Sequence, residues 1–269
     1  MTDEGVSPEV SFQPVSGPAH VERARQFLLA QGWAGLAAGA HLLRLVDQGV
    51  DPEDVIWWVL GRAGEPLALA LLNQGVLGLL LTSSQEAGAA RAFLEDNRTR
   101  LQQVHVPAGQ VDCSSLDAFD SYRRDLAVAP AVRPLATPLP PTREGVKEDA
   151  EQIHRVYQHV SWMRRDSPEE WRERIAQQRS WVAEIEGQVV AVARWTMSFG
   201  NWVEVGGVAT HPDFRRRGAG AAVTLAATSS ALTEGRQVAL RYGDPALAEL
   251  YHPLGFEHVG GELVFYRRS

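Results

Sequence analysis

The sequence predicts an α+β fold, with mixed sheets flanked by helices and arranged as two domains. Three observations carry this. After residue 142, segments of helical spacing and strand-like runs follow the order α-α-β-β-β-α-β-α-β. The first half has a similar rhythm of two helices, three strands, a helix, a strand and a helix. Between the halves lies Ala129–Pro141, whose five prolines disfavour helix and favour an extended connector. A length of 269 residues suits about two domains. The expected boundaries are 1–128 for the first domain, 129–141 for the connector and 142–269 for the second. Part of the connector also reads as a strand entering the second domain's sheet.

Residues 1–17 are rich in Pro, Ser and Glu and read as a loose arm. His20–Gln31 and Gly35–Gln48 have helical spacing, and Asp51-Pro-Glu-Asp is a helix or turn start. Val55–Leu60, Pro66–Asn73 and Val76–Thr82 read as strands, with hairpin breaks at Gly64-Glu65 and Asn73-Gln-Gly75. Ser84–Asn97 reads as a helix capped by Ser83 or Ser84, Leu101–Val106 as a strand and Ser115–Leu126 as a helix. In the second half, Glu144–His159 and Pro168–Gln178 are expected helices. Trp181–Glu186 and Gln188–Ser198 form a hairpin through Glu186-Gly187. Trp202–Thr210 is the next strand, Gly218–Glu234 a helix, Gln237–Tyr242 a strand, Pro245–Leu254 a helix, and His258–Arg267 a closing pair of short strands.

Composition removes several classes. The chain is 45% hydrophobic and 22% charged, which is ordinary for a globular protein with full cores. A net charge of −7 argues against nucleic acid as the main partner. The single Cys113 excludes an intrachain disulfide and suits a reducing, cytoplasmic compartment. The start lacks a basic region followed by an apolar stretch, so no signal peptide is expected. The apolar run Pro66–Leu81 is broken by Asn73, Gln74 and Gly75, so it reads as two strands rather than a membrane span. No spacing of His, Cys and carboxylates suggests a metal site, and no nucleophile elbow is present.

The most informative stretch is Val205-Gly-Gly-Val-Ala-Thr-His-Pro-Asp-Phe-Arg-Arg-Arg-Gly-Ala-Gly220. It reads as a strand, a turn and a glycine-rich loop opening a helix. Unpaired N–H groups at a helix start, with the helix dipole, favour a diphosphate. Gly218 and Gly220 remove side chains where a ligand approaches the backbone, and Arg215, Arg216 and Arg217 add positive charge. Gly206-Gly207 within the strand suggests a bulge.

This stretch resembles the central motif of the GNAT superfamily of acyl-CoA-dependent N-acyltransferases, Arg/Gln-x-x-Gly-x-Gly/Ala, matched here by Arg215-Arg-Arg-Gly218-Ala-Gly220. Asp244-Pro-Ala-Leu-Ala-Glu-Leu-Tyr251-His-Pro-Leu-Gly-Phe256 is similar to a second family element, Asn-x-x-Ala-x-x-Leu-Tyr-x-x-x-Gly-Phe. Asp244 stands where Asn is usual and Leu247 where Ala is common. The resemblance covers roughly residues 142–269. It implies a mostly antiparallel sheet splayed at a bulged central strand, with the pantetheine arm of acetyl-CoA between Trp202–Thr210 and Gln237–Tyr242. The implied cofactor-binding set is Val208, Ala209, Thr210, Arg215, Arg216, Arg217, Gly218, Ala219, Gly220, Ala221 and Asp244.

The implied chemistry is attack of an amine on a thioester. An alkyl amine of pKa about 10 must lose a proton, and the oxyanion needs donors such as backbone N–H at the bulge. Tyr251 matches the family tyrosine that protonates the departing thiolate. Glu204, on the strand leading to the bulge, is the expected base, with an outward-facing strand glutamate as the alternative. His211 reads as part of a turn before the loop, and His154, His159 and His252 as surface residues. Trp162 and Met163 offer an apolar wall for the acceptor, and Arg164 or Arg165 a carboxylate contact, against the alternative of a solvated turn. Trp195, Phe199 and Trp202 cluster near the hairpin, within reach of the same pocket.

The resemblance therefore implies an N-acetyltransferase acting on a small-molecule or peptide amine, as monomer or homodimer. A non-catalytic acyl-CoA sensor or interaction module is the alternative. A mycothiol-synthase-like tandem enzyme is a narrower one. The first domain would then be a degenerate GNAT-like copy, because Leu81-Thr-Ser-Ser-Gln-Glu86 lacks the loop motif. A coincidental α+β arrangement is the other reading of that half.

Overall fold

A computed structural model describes residues 11–51, 54–61, 64–111, 113, 114, 116–160 and 166–268. The chain divides into two compact units, Met1–Asp125 with Gly260–Ser269, and Leu126–Val259.

The first unit contains β1 (Gln13–Pro14), α1 (Gly17–Ala30), α2 (Leu36–Asp47), β2 (Ile56–Leu60), β3 (Pro66–Asn73), β4 (Val76–Leu81), α3 (Ala87–Asn97) and β5 (Gln103–Pro107). β2, β3 and β4 are antiparallel neighbours, and β4 then pairs with β5 in parallel across α3. The β3–β4 turn has positive φ at Gln74 and Gly75, as a two-residue primed hairpin requires. Leucines and alanines of β3 and β4 pack with Ala90, Phe93 and Leu94 of α3 to form the core.

Two sequence expectations fail here. Ser115–Leu126 is not helical: β6 runs Phe119–Ala129, burying Phe119, Ala127 and Ala129 and exposing its middle. The C-terminal residues form one strand, β12 (Glu257–Arg267), in place of two short ones. Its Glu262–Tyr266 stretch pairs antiparallel with β5. The last ten residues thus belong to the first unit, although sequence order assigns them to the second.

The second unit carries β7 (Thr142–Glu144), α4 (Ala150–Tyr157), α5 (Pro168–Gln177), β8 (Ser180–Ile185), β9 (Gln188–Phe199), β10 (Trp202–Thr210), α6 (Ala219–Thr233), β11 (Gln237–Tyr242) and α7 (Ala248–Tyr251). Residues 142–144, expected to lead directly into a helix, instead pair with β8 at its edge. α5 starts in a capping box: Ser167 Oγ accepts the Glu170 N–H at 3.3 Å, and Glu170 accepts the Ser167 N–H at 2.6 Å. β7 through β10 are antiparallel neighbours, and β10 pairs in parallel with β11. One core joins Val203, Val205, Val238 and Leu240 to the alanine-rich α6. On the opposite face, Ala150, Ile153, Val156 and Tyr157 of α4 pack with Trp171, Val192 and Ala209.

The proline-rich stretch is a packed strap of this unit rather than a free connector. Leu135 and Leu139 pack on the α6 core, and Arg133 N–H donates to the Leu254 carbonyl at 3.0 Å.

Candidate active site

The site is built around β10. Its parallel pairing with β11 covers only Trp202–Glu204 against Gln237–Ala239, beyond which the strands have no paired residues. On its other side, Gly206 faces Arg194 and Ala209 faces Val192, so Gly207 and Val208 stand opposite the single residue Ala193. This is a β-bulge, and it lies beside the place where β10 and β11 part. Gly207 has φ +59, and a Cβ there would sit 3.1 Å from both Arg194 Nε and the Tyr157 hydroxyl oxygen. The expected strand, bulge and splay are all present.

β10 ends at Thr210, and the chain turns through His211–Phe214 into the loop. His211 Nδ1 accepts the Asp213 N–H at 3.4 Å, and its ring packs against His159 and Phe214. It is a turn-forming residue here. Arg216 has φ +63 and Gly218 φ +79, so two left-handed residues flank Arg217. Such alternation makes successive N–H groups converge into an anion-binding concavity. The first bond into α6 runs from Ala222 N–H to the Gly218 carbonyl at 2.9 Å. The N–H groups of Ala219, Gly220 and Ala221 precede it, at the positive end of a fifteen-residue helix. This backbone fits a diphosphate.

The three arginines differ. Arg215 Nε donates to the Thr210 carbonyl at 3.3 Å and ties the loop to the strand end. Arg217 lies 5.2 Å over the Phe214 ring. Among the described residues, neither Arg216 nor Arg217 has a carboxylate partner at salt-bridge distance. The glycines also have internal reasons. A Cβ on Gly218 would lie 3.0 Å from Leu139 Cδ2 of the proline-rich strap, and one on Gly220 would lie 3.1 Å from Thr210 Oγ1.

Glu204 is buried, on the α4 side of β10. Arg241 Nε and Nη2 donate to its two oxygens, each at 2.9 Å, and Thr196 Oγ1 donates to Oε2 at 3.0 Å. Arg241, on the diverging part of β11, was not singled out from the sequence. A carboxylate offers about four lone-pair sites, so three bonds leave one open on Oε1.

Tyr251, at the end of α7, is 5% exposed and packs against Tyr242 and Phe256. Burial, with a smaller contribution from Tyr242, raises its phenol pKa to about 12. The group stays protonated at neutral pH and is a donor. Asp244 caps the short turn before α7, accepting the Ala246 N–H at 2.9 Å. Trp162 and Arg164, with Met163 and Arg165, lie outside the described residues. Trp195 faces the α6 side, its Nε1 donating to the Ala227 carbonyl at 3.1 Å. It therefore does not join an acceptor pocket on the α4 side as expected, because Arg194 and Thr196 take the α4-facing positions of β9. Among the described residues no group of three or more His, Cys, Asp or Glu is placed to hold a metal, and no helix is long and apolar enough to cross a membrane.

The bulged strand, its parting from β11 and the N–H-lined loop are together the arrangement that the sequence resemblance implies. The comparisons agree. Residues 146–256 match the model of the acetyltransferase (GNAT) family. The matched residues lie within the second unit. A GCN5-related N-acetyltransferase from Sphaerobacter thermophilus superposes with TM-score 0.60 at 16% identity, covering 96% of this chain and 95% of that one. A Drosophila protein superposes with TM-score 0.61 at 12% identity over 96% and 99% of the chains. A GNAT-family acetyltransferase from Colwellia psychrerythraea gives 0.55 at 10% identity over 80% and 85%. At these identities the likeness is one of fold. No curated protein sequence matches the chain.

Proposed function

We propose that this chain is an N-acetyltransferase that moves the acetyl group from acetyl-CoA to a primary amine by direct attack in a ternary complex. The observation that carries this is the continuity of bulge, splay and loop. A pantetheine arm can pair with the free edge of β10 while its diphosphate rests on the N–H groups of residues 216–221. Acetyl-CoA supplies an acyl carbon activated by a thiolate leaving group. The chain's residues orient it and move protons.

The amine nitrogen bonds to the acyl carbon while the carbon–sulfur bond breaks. Glu204, anchored by Arg241 and Thr196, receives the amine proton at its remaining Oε1 site, directly or through water. Bulge N–H groups stabilise the negative charge on the acyl oxygen. Tyr251 donates its proton to the departing sulfur. The acceptor is a small molecule or a peptide amine.

The first unit keeps the order α1-α2-β2-β3-β4-α3-β5 with a parallel β4–β5 pair, matching α4-α5-β8-β9-β10-α6-β11. We read it as a GNAT-like copy without its own acyl site. β4 pairs with β3 without a register shift, and it is followed by Ser83, whose N–H and hydroxyl are taken by Glu86.

The test is calorimetric titration of the full chain with acetyl-CoA, beside an Arg216→Ala/Gly218→Asp double variant. Micromolar binding that the variant loses supports the reading and opens an amine screen by thiol release. A wild-type chain that binds no acetyl-CoA overturns it.

A further inference from the structure

Tyr157 has no role in the chemistry above, yet it is fully buried at the bulge. Its ring stacks on Trp171 at 4.3 Å between centroids and 7° between planes. The Arg194 guanidinium lies 5.8 Å from the Tyr157 ring and 5.0 Å from the Trp171 ring. Arg194 is itself buried. Its Nη1 donates to Gln178 Oε1 at 3.0 Å, while its Nε has no hydrogen-bond partner among the described residues. This stack fixes the tyrosine at the end of α4, and its hydroxyl donates a hydrogen bond to the Gly207 carbonyl.

That carbonyl belongs to the bulge. The Gly207–Val208 peptide is trans, so the Val208 N–H points opposite to the Gly207 C=O. Tyr157 holds the carbonyl toward α4, which turns the Val208 N–H away from α4, and the Val208 side chain packs against the α6 core. A glycine in the left-handed region, sharing a single opposing residue at a bulge, has several accessible peptide orientations. The hydroxyl selects one.

We propose that Tyr157 is a positioning residue for acyl transfer: by gripping Gly207 O it sets the Gly207–Val208 peptide plane and aims the Val208 N–H at the acyl oxygen. The inference rests on the acetyltransferase reading. It assigns Val208 N–H as an oxyanion donor and Tyr157, with its Arg194–Trp171 support, as the element that preorganises it. Removing one such donor costs a factor of about 10² to 10³ in turnover.

The experiment compares the full wild-type chain with Tyr157→Phe, each bound to acetyl-CoA labelled with ¹³C at the carbonyl. Isotope-edited infrared spectroscopy reads the polarisation of that carbonyl. Wild type is expected to move the carbonyl stretch to lower frequency than in free acetyl-CoA. Tyr157→Phe is expected to lose most of that displacement while its acetyl-CoA Kd stays within about threefold, because the diphosphate contacts are untouched. An unchanged displacement in a folded Tyr157→Phe overturns the assignment.

Amide NMR of the wild type keeps the test decisive if the variant does not fold. The Val208 amide proton is expected to move downfield with acetyl-CoA but not with CoA. Equal response to the two overturns the proposal. Wild type that binds neither molecule overturns the acetyltransferase reading with it. Binding with no carbonyl displacement overturns this inference alone.

Discussion

Replacing Arg241 by Met isolates the buried pair at the splay. The Arg241 and Glu204 side chains are 12% and 9% exposed, and their contact is bidentate. Arg241→Met leaves a buried carboxylate with Thr196 as its remaining hydrogen-bond donor among those described. Breaking a buried pair from one side costs about 3–5 kcal/mol, because the surviving charge cannot regain water. At roughly 3 °C per kcal/mol for a domain of this size, the melting temperature of the second unit should fall by about 10 °C. Replacing both partners by apolar residues of similar volume removes the stranded charge, so Glu204→Leu/Arg241→Met should recover most of that loss. The assay is thermal melting followed by tryptophan fluorescence, with thiol release measured on the same samples. If Glu204 receives the amine proton, the double variant melts near wild type yet turns over about 10²-fold more slowly. A single variant within about 2 °C of wild type would sink the energetic reasoning. Full turnover by the double variant would remove Glu204 from proton transfer.

Tyr251→Phe should lower turnover by about 10²-fold with acetyl-CoA affinity unchanged, measured by thiol release and calorimetry. Because burial raises the Tyr251 pKa from 10 to about 12, the unfolded chain loses this proton first. Its contribution, about 3 kcal/mol, is therefore present below pH 10 and lost as pH rises toward 12. Denaturant titrations at pH 9 and 11 should show a smaller stability drop for Tyr251→Phe than for wild type, and equal drops would contradict the burial argument. Gly218→Ala forces a Cβ into φ +79 and to 3.0 Å from Leu139, so acetyl-CoA should bind at least tenfold more weakly. Adding Leu139→Ala should relieve the crowding but not the φ strain, and full recovery of Kd would show that strain is negligible. Truncation after Val259 removes the strand segment that pairs with β5 and the Arg267 and Arg268 bonds to Leu101, Arg98 and Ala118 carbonyls. It should unfold the first unit, and hydrogen exchange would show whether β5 amides lose protection.

What the sequence made legible is local chemistry. β3, β10 and β11 have the expected bounds because turn residues and strand-forming runs mark them directly. The bulge at Gly206-Gly207 and the loop at Arg215–Gly220 were readable because only unusual backbone geometry needs such glycines. β6 was misread because Leu116, Phe119, Arg123 and Leu126 can be spaced as a helix, whereas the structure uses extended backbone whose buried ends are Phe119, Ala127 and Ala129. The C-terminal strand was misassigned because its partner, β5, lies more than 150 residues away, and no local pattern names a strand's neighbour.

The same limit governs the site. Glu204 and Tyr251 were singled out through the family elements that they lie in or beside, but Arg241 and Tyr157 lie in no such element. What marks them out is what they hold, a carboxylate 37 positions away and a carbonyl 50 positions away. Gly218 makes the distinction sharpest. Its positive φ is a property of the loop and can be inferred from the motif, but the space beside it is taken by Leu139 of the strap. A loop glycine therefore reports a required backbone shape, while the packing around it decides whether the missing side chain makes room for a ligand or for the protein itself.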